Sequence, residues 1–365
     1  MNKHNRNIAF VIHNITAKGG EERMCSMIAN YLQAQGYNIS IFSLFSHKGT
    51  APFFNIIEGV NIYHLLGYFI ERRIQQYAPW LNYLLRKLRK HLIKCKPDVV
   101  IDVDITVTPL TTKVVLGQKI KHIAWDHFPY GYYTDSRPEL LKSLFTVDKI
   151  VVLTKGSERS YVYKAHLEPQ KIVQIYNPSP IECDTYVPHK NHVILAMGRL
   201  EVEKGFDRLL NIWAQIEPKV PDWILKIVGS GGYYDALKSQ AEDLNLNRVF
   251  FYPHTSSPIE YYKDASIFVL TSRYEGLGLV LIEALNYSLP IVSYDCENGP
   301  REVIEDGLNG YLIPDGDETL FVDKLLLLIQ DESLRNRIGH NAIVSTSNFS
   351  LKVVGQRWIE LLDSI

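Results

Sequence analysis

Two carboxylates, Glu275 and Glu283, stand eight positions apart in SRYEGLGLVLIEALNYSLPIVSYD (272–295). On one continuous helix the second would sit about 80° round and about 12 Å along from the first, on a different face. The pair can serve one ligand only if the chain bends between them, and Gly276 and Gly278 allow that bend. SIFVLTS (266–272) reads as a strand, RYEGLG as a turn, and LVLIEALNYS as a helix stopped before Pro290. Glu275 then stands on a loop at the rim of a sheet, and Glu283 lies about one turn into the helix. The amides of the Gly276, Leu277, Gly278 and Leu279 region lie between them at a helix N-terminus. A plainer account makes Glu283 a solvent-facing helix residue and Glu275 a loop-end acid. Against it, the helix is apolar nearly all round, and an unpaired buried carboxylate is costly.

Two further loops in the same half could meet a ligand. GRLEVEKG (198–205) follows a strand and presents Arg199 and Lys204 beside two glycines, which suits a diphosphate at a helix start. An isolated Arg and Lys would read more simply as a solvated basic loop. VGSGGYYD (228–235) contains Gly229 and allows close backbone approach, but it is not GxGxxG, and a tight turn needs no ligand.

The elements that must position these loops alternate strand and helix, the pattern of parallel α/β sheets. NIAFVIH (7–13), NISIFSLF, DVVIDVD (98–104), HIAWDH (122–127) and KIVVLT (149–154) predict strands in the first half. A loop with Gly19 and Gly20 follows the first of them, then a helix over 21–35 ended by Gly36. The Pro-rich, polar stretch around 178–191 breaks the periodicity and separates residues 1–177 from a second series over 192–346. That series is HVILAMGRL, WILKIVG, RVFFYPH, SIFVLTS, PIVSYD and GYLIP. Residues 347–365 predict a C-terminal helix packing back on either domain. The expected architecture is α/β, two Rossmann-like domains with parallel sheets facing across a cleft.

At 365 residues the chain exceeds one ordinary core, and 46% hydrophobic with 22% charged residues is ordinary for a globular protein. A net charge of −1 gives no overall field for nucleic acid. Cys25, Cys95, Cys183 and Cys296 are scattered with no CxxC pair, which argues against structural zinc and fits a reducing compartment. The N-terminus lacks a signal-peptide apolar region, and no run of 18 apolar residues occurs, so a cytoplasmic location is expected.

EGLGLVLIE resembles the E-x7-E signature of retaining glycosyltransferases of family 4, and GRLEVEKG resembles that family's GRL-xxx-KG loop. GPREVIEDGLNGYLIPDGD (299–317) resembles the segment after the signature in members that build bacterial polysaccharides and lipid-linked oligosaccharides. Gly19-Gly20 followed by EER resembles the GGAER first loop, and WDHF falls where a His is expected. The resemblance spans both domains in order. It implies the GT-B fold and transfer, with retained anomeric configuration, of a hexose or N-acetylhexosamine from a nucleoside-diphosphate sugar, with UDP-sugar the first choice. The acceptor would be a glycan or a polyprenyl-diphosphate-linked acceptor. Arg199 and Lys204 would neutralise the diphosphate, Glu283 would bond the ribose, and Glu275 with the following amides would hold the sugar. Gly19 and Gly20 would let the first loop approach the diphosphate. His127 would reach the sugar from the acceptor side, and Pro253 and His254 would flank the base. The sequence departs from the pattern at Val280, where Pro is usual, at Glu21, where a small residue is usual, and at GSGG.

DVD (102–104) and DGD (315–317) match the Asp-x-Asp of the metal-using glycosyltransferase fold, but such triplets are common by chance. Asp104 reads as lining the acceptor cleft or as structural; no metal and no cofactor beyond the donor substrate are expected.

Residues 71–98 are set apart by charge: eight Lys/Arg and one acid lie between Glu71 and Lys96. Leu81, Leu84, Leu85, Leu88 and Leu92 form an apolar stripe on a helix over about 79–96, bracketed by Pro79 and Pro97. The stripe can pack on the sheet while Arg86, Lys87, Arg89, Lys90 and Lys94 meet water, or those cations can attract an anionic bilayer, with Tyr77, Trp80 and Tyr83 at its interface. The membrane reading places the protein peripherally at the inner face of the cytoplasmic membrane. Other functions considered are a non-catalytic nucleotide-sugar or lipid-binding partner in glycan assembly and a sugar-nucleotide epimerase. An NAD dehydrogenase is disfavoured because no GxGxxG follows the first strand.

Overall fold

Strands with near-continuous β-branched and aromatic runs are buried on both faces, as parallel sheets covered by helices require. Such runs build two separate sheets here. The computed structural model describes residues 6–66, 79–181, 185–186, 191–255 and 257–365. They divide into two units, residues 1–180 with 351–365, and residues 181–350.

The first unit holds β1 (Asn7–Ile12), β2 (Asn38–Ser43), β3 (Asn61–His64), β4 (Val99–Asp102), β5 (Lys121–Asp126), β6 (Lys149–Val152) and β7 (Ile172–Gln174). Their order is β3-β2-β1-β4-β5-β6-β7, with every pairing parallel. The edge strands β3 and β7 are absent from the sequence expectation. β3 has no buried residue, because an edge strand of short length meets little core. The described residues resume with the helix Pro79–Cys95. It buries Leu84, Leu88 and Leu92 in a cluster with Leu44, Leu65, Val100 and Val107.

The second unit holds β8 (Val193–Met197), β9 (Ile224–Val228), β10 (Val249–Tyr252), β11 (Ile267–Leu270), β12 (Tyr274–Glu275), β13 (Ile291–Asp295), β14 (Glu297–Asn298) and β15 (Gly310–Pro314). Six of them form a parallel sheet in the order β10-β9-β8-β11-β13-β15, and β12 pairs with β14 apart from it. The helix Phe206–Ile216 lays Phe206, Leu209, Leu210, Trp213 and Ile216 on this sheet at helical spacing.

Residues 345–349 form a 3-10 turn that stays with the second unit, and the chain returns to the first at Leu351. The helix Leu351–Asp363 lies close on the helix Gly20–Ala34: a Cβ on Gly355 would lie 2.3 Å from the Tyr31 ring. Trp358 also packs edge-on to Trp125 of β5, with centroids 4.8 Å apart. The interdomain stretch expected at 178–191 lies partly outside the described residues, at 182–184 (with Cys183) and 187–190. Residues 67–78 do too, and with them Tyr77 and the cations before Pro79.

Candidate functional site

In an open α/β sheet, ligands sit beyond the carboxyl ends of the strands where the strand order reverses. In the second unit that point lies between β8 and β11. The loops leaving these two strands carry Lys204 and Glu275. After β8 the chain makes a 3-10 turn over Val202–Lys204 and reaches Gly205 at φ 65°. A Cβ there would stand 2.0 Å from the Thr271 carbonyl oxygen, so only glycine lets this loop lie on the end of β11. Thr271 Oγ1 donates to the Gly205 carbonyl at 2.8 Å and fixes the approach.

The approach delivers the Lys204 ammonium to Glu275. Its Nζ donates to Oε1 at 2.8 Å, and Ser272 Oγ donates to the same oxygen at 2.7 Å. Glu275 is only 7% exposed, so these charge-assisted bonds offset its desolvation. Arg273, which the sequence reading passed over, clamps the two loops together. Its guanidinium holds Asp207 through both nitrogens at 2.8 and 2.6 Å, and also donates to the Val202 carbonyl at 2.7 Å. Burial works to raise the Asp207 pKa, but the Arg273 hydrogen bonds and charge outweigh it and hold the carboxyl below its ordinary range. On the other side β12 sets Glu275 against Asn298 of β14. A Cβ on Gly299 would lie 3.0 Å from that of Glu275, so the segment after β14 presses on the loop that carries Glu275.

Gly278 takes φ 77° and starts the helix Leu279–Asn286, the bend that the spacing of the two glutamates demands. Glu283 is the fifth residue of that helix and is 5% exposed, not a solvent-facing acid. Its Oε2 accepts a hydrogen bond from Tyr262 Oη at 2.6 Å.

The remaining expected contacts are placed differently. Arg199 is exposed, its side chain 67% accessible, and pairs with Glu203 at 3.1 Å rather than with Glu275. Gly229 has a packing reason of its own: a Cβ there would lie 1.8 Å from the Gly198 carbonyl oxygen, and one on Gly231 would lie 2.2 Å from that of Leu200. The GSGG turn thus lets the loop after β9 nest against the loop after β8. Pro253 and His254 are exposed, and the His254 amide donates to Ser230 Oγ at 3.0 Å.

In the first unit the order reverses between β1 and β4. Beyond their carboxyl ends, His13 Nε2 meets Thr106 Oγ1 at 2.7 Å, and Asp104 Oδ1 accepts the Thr106 amide at 2.8 Å. β5 ends in Asp126 and hands the chain to His127, whose ring packs on Trp125 with centroids 4.4 Å apart. His127 Nε2 is buried, and its Nδ1 lies 3.5 Å from Asn177 Nδ2. Burial pushes the imidazole down to about 4, against the pull of Asp104, so the ring is neutral at physiological pH. Asp126 moves oppositely. Burial pushes it up to about 7 although Tyr161 Oη (2.6 Å) and the Phe128 amide (3.1 Å) both donate to it.

Gly19 precedes the helix Gly20–Ala34 as its N-cap, and the buried Glu22 folds back so closely that a Cβ on Gly19 would lie 2.3 Å from its carboxylate. The glycine pair therefore has a local use at this helix start as well.

The Asp-x-Asp triplets are engaged within the fold. Asp102 accepts from Thr111 Oγ1 and pairs with His122 Nε2, both at 2.7 Å, while Asp317 caps the helix Glu318–Gln330 and Asp315 pairs with Arg208 at 2.6 Å. Among the described residues no group of three or more His, Cys, Asp or Glu is placed to hold a metal ion.

On the helix Pro79–Cys95, Tyr83, Arg86, Arg89, Lys90, Ile93 and Lys94 are exposed. Lys87 differs: its Nζ donates to the Leu65 carbonyl at 2.8 Å and lies 4.7 Å from the Tyr83 ring centroid. The Trp80 side chain is outside the described part of the structure. No helix among the described residues is long and apolar enough to cross a membrane.

Residues 184–344 match the family Glycosyl transferases group 1, and residues 18–182 match Glycosyltransferase Family 4. An uncharacterized glycosyltransferase of Haemophilus influenzae is 32% identical over 98% of this chain and 100% of its own. The amylovoran biosynthesis glycosyltransferase AmsD of Erwinia amylovora is 27% identical over 98% of this chain and 99% of its own. Among solved structures, a mutant of Staphylococcus aureus TarM in complex with fondaparinux, α-GlcNAc-glycerol and UDP superposes with a TM-score of 0.81. It is 16% identical over 98% of this chain and 100% of its own.

Proposed function

The chain belongs to the family-4-like glycosyltransferases of GT-B fold, and we propose that it moves a hexose or N-acetylhexosamine from a UDP-sugar to a lipid-linked glycan, with retention at the anomeric carbon. Its similarity to AmsD supports a place in bacterial polysaccharide or glycan assembly. The observation that carries the donor reading is the Lys204–Glu275 pair, 2.8 Å apart at the switch point of the second sheet. A cation and a carboxylate joined there suit the two ends of a sugar diphosphate. Lys204 neutralises the phosphate oxygens as the leaving group's charge grows. Glu275 accepts from the sugar's hydroxyls, and Glu283 accepts from the ribose. Arg199, exposed and paired with Glu203, adds a second cation that can exchange Glu203 for phosphate. UDP, which the TarM structure contains, is the first nucleotide to test.

Neither glutamate is assigned as a nucleophile. Glu275 is already tied to Lys204 and Ser272, and Glu283 to Tyr262. The acceptor oxygen would enter on the face from which the diphosphate leaves and pass its proton to that phosphate. Cationic side chains, not a metal, would carry the charge. His127 would act neutral, as a hydrogen-bonding group in the first unit.

The helix Pro79–Cys95 supports the lipid-linked part of the reading and a peripheral place at the cytoplasmic membrane face. Its inward leucines are satisfied by the core, yet its outer face combines Arg86, Arg89, Lys90 and Lys94 with Tyr83 (50% exposed) and Ile93 (62%). Cations interleaved with apolar side chains suit an anionic headgroup layer.

Thermal stabilisation by a panel of nucleotide-sugars tests the donor reading, because a ligand bound to the native state raises stability with its affinity. One nucleotide class should raise the melting temperature of the wild type and fail to do so for Lys204→Ala. Absence of stabilisation by every nucleotide-sugar would overturn the reading.

A further inference from the structure

We propose that Tyr262 is a positioning residue for Glu283, aiming that carboxylate at the ribose of the bound nucleotide. The proposal rests on the donor reading above. Tyr262 belongs to the short helix Ile259–Asp264, 21 residues upstream of Glu283. Its hydroxyl donates to Oε2 at 2.6 Å, the short distance expected of an O–H···O⁻ bond. The ring cannot swing away. It is fully buried, stacks on Tyr287 with planes 2° apart and centroids 5.6 Å apart, and is flanked by Phe268 of β11.

A glutamate has three side-chain torsions, and a helix fixes only where the chain of atoms begins. The helix Leu279–Asn286 therefore gives Glu283 its place, and the immobile Tyr262 hydroxyl gives its carboxylate a direction. A carboxylate accepts in about four lone-pair directions, and the Tyr262 hydroxyl fixes one of them. Orientation of this kind matters for recognising a diol. Two adjacent hydroxyls read the rotation of the carboxylate plane, whereas a phosphate reads only the charge nearby.

Tyr262→Phe removes the hydroxyl and keeps the ring and its stacking. The full-length protein is titrated with whichever of UDP, GDP and ADP stabilises the wild type most, and with the 2′-deoxy and 3′-deoxy forms of that nucleotide. Donor KM, kcat and melting temperature are measured alongside. In the wild type at least one deoxy form should bind more weakly than the parent. In Tyr262→Phe the parent should lose about tenfold in affinity and the deoxy form much less, so the ratio collapses, and donor KM should rise with kcat nearly kept. A role confined to packing would lower the melting temperature and leave the ratio intact, and that result would overturn the proposal. Equal binding of parent and both deoxy forms by the wild type, or unchanged binding by Glu283→Ala, would instead overturn the assignment of Glu283 to the ribose, and the proposal with it.

Discussion

Lys204 Nζ lies 2.8 Å from Glu275 Oε1, joining residues 71 positions apart, and the two side chains are 20% and 6% accessible. The asymmetry of their burial makes the two deletions unequal. Lys204→Ala leaves a buried carboxylate with Ser272 as its remaining donor and should cost roughly 1–3 kcal/mol of stability. Glu275→Ala leaves an ammonium that can turn to water and should cost less. Urea unfolding of the two variants measures the difference; equal losses would show that the pair is not held as described.

Asp126 and His127 give a pH prediction with compensating signs. The Asp126 pKa rises from 3.8 to about 7 in the fold, and that of His127 falls from 6.5 to about 4. Between pH about 4 and 6.5 the native pair holds one proton, on Asp126, and the unfolded pair also holds one, on His127. The slope of stability with pH from this pair is therefore near zero there. Above pH 6.5 the unfolded chain holds none, so stability falls as pH rises through 7. Asp126→Asn unmasks the histidine, and stability should then rise from pH 4 to 6.5. His127→Gln unmasks the carboxylic acid, and stability should fall from pH 4 to 7. Denaturant midpoints against pH for the three proteins check both signs.

Gly205 and Gly316 both have positive φ, 65° and 83°, but differ in their surroundings. A Cβ on Gly316 meets nothing within 4 Å, whereas on Gly205 it would meet a backbone carbonyl that cannot turn aside. Gly316→Ala should cost about 1 kcal/mol, the ordinary penalty of the left-handed region. Gly205→Ala should cost more and weaken nucleotide binding, because the loop carrying Lys204 must lift off β11. Similar denaturation midpoints for the two would argue against that contact.

Neutralising Arg86, Arg89, Lys90 and Lys94 together should remove binding to vesicles containing phosphatidylglycerol. At about 1 kcal/mol per cation the loss is roughly a thousandfold. Lys87→Ala should act on stability instead, since its ammonium is spent on the Leu65 carbonyl. Vesicle co-sedimentation over a salt series separates the two effects; wild-type sedimentation by the quadruple variant would remove the membrane surface from the account.

The deep strands and the bend between the glutamates were legible because both depend on local pattern: a continuous apolar run, and glycine where φ must be positive. β3 was not, because an edge strand with no buried residue carries no such pattern. Tyr262 and Arg273 were equally silent. Nothing near Tyr262 in sequence marks it as the partner of Glu283, and Arg273 finds Asp207 66 positions away. The glycines of GSGG were read as room for a ligand, yet the structure also fills that room with the Gly198 and Leu200 carbonyls. A glycine shows only that something comes close, not what.

Release of nucleoside diphosphate from the stabilising donor, by the wild type and by Glu275→Ala in the presence of a polyprenyl-linked glycan acceptor, measures whether Glu275 serves sugar transfer. The wild type should turn over and Glu275→Ala should lose at least about a hundredfold in kcat, the scale for removing a group that stabilises the transition state. Turnover by Glu275→Ala at the wild-type rate would contradict the account.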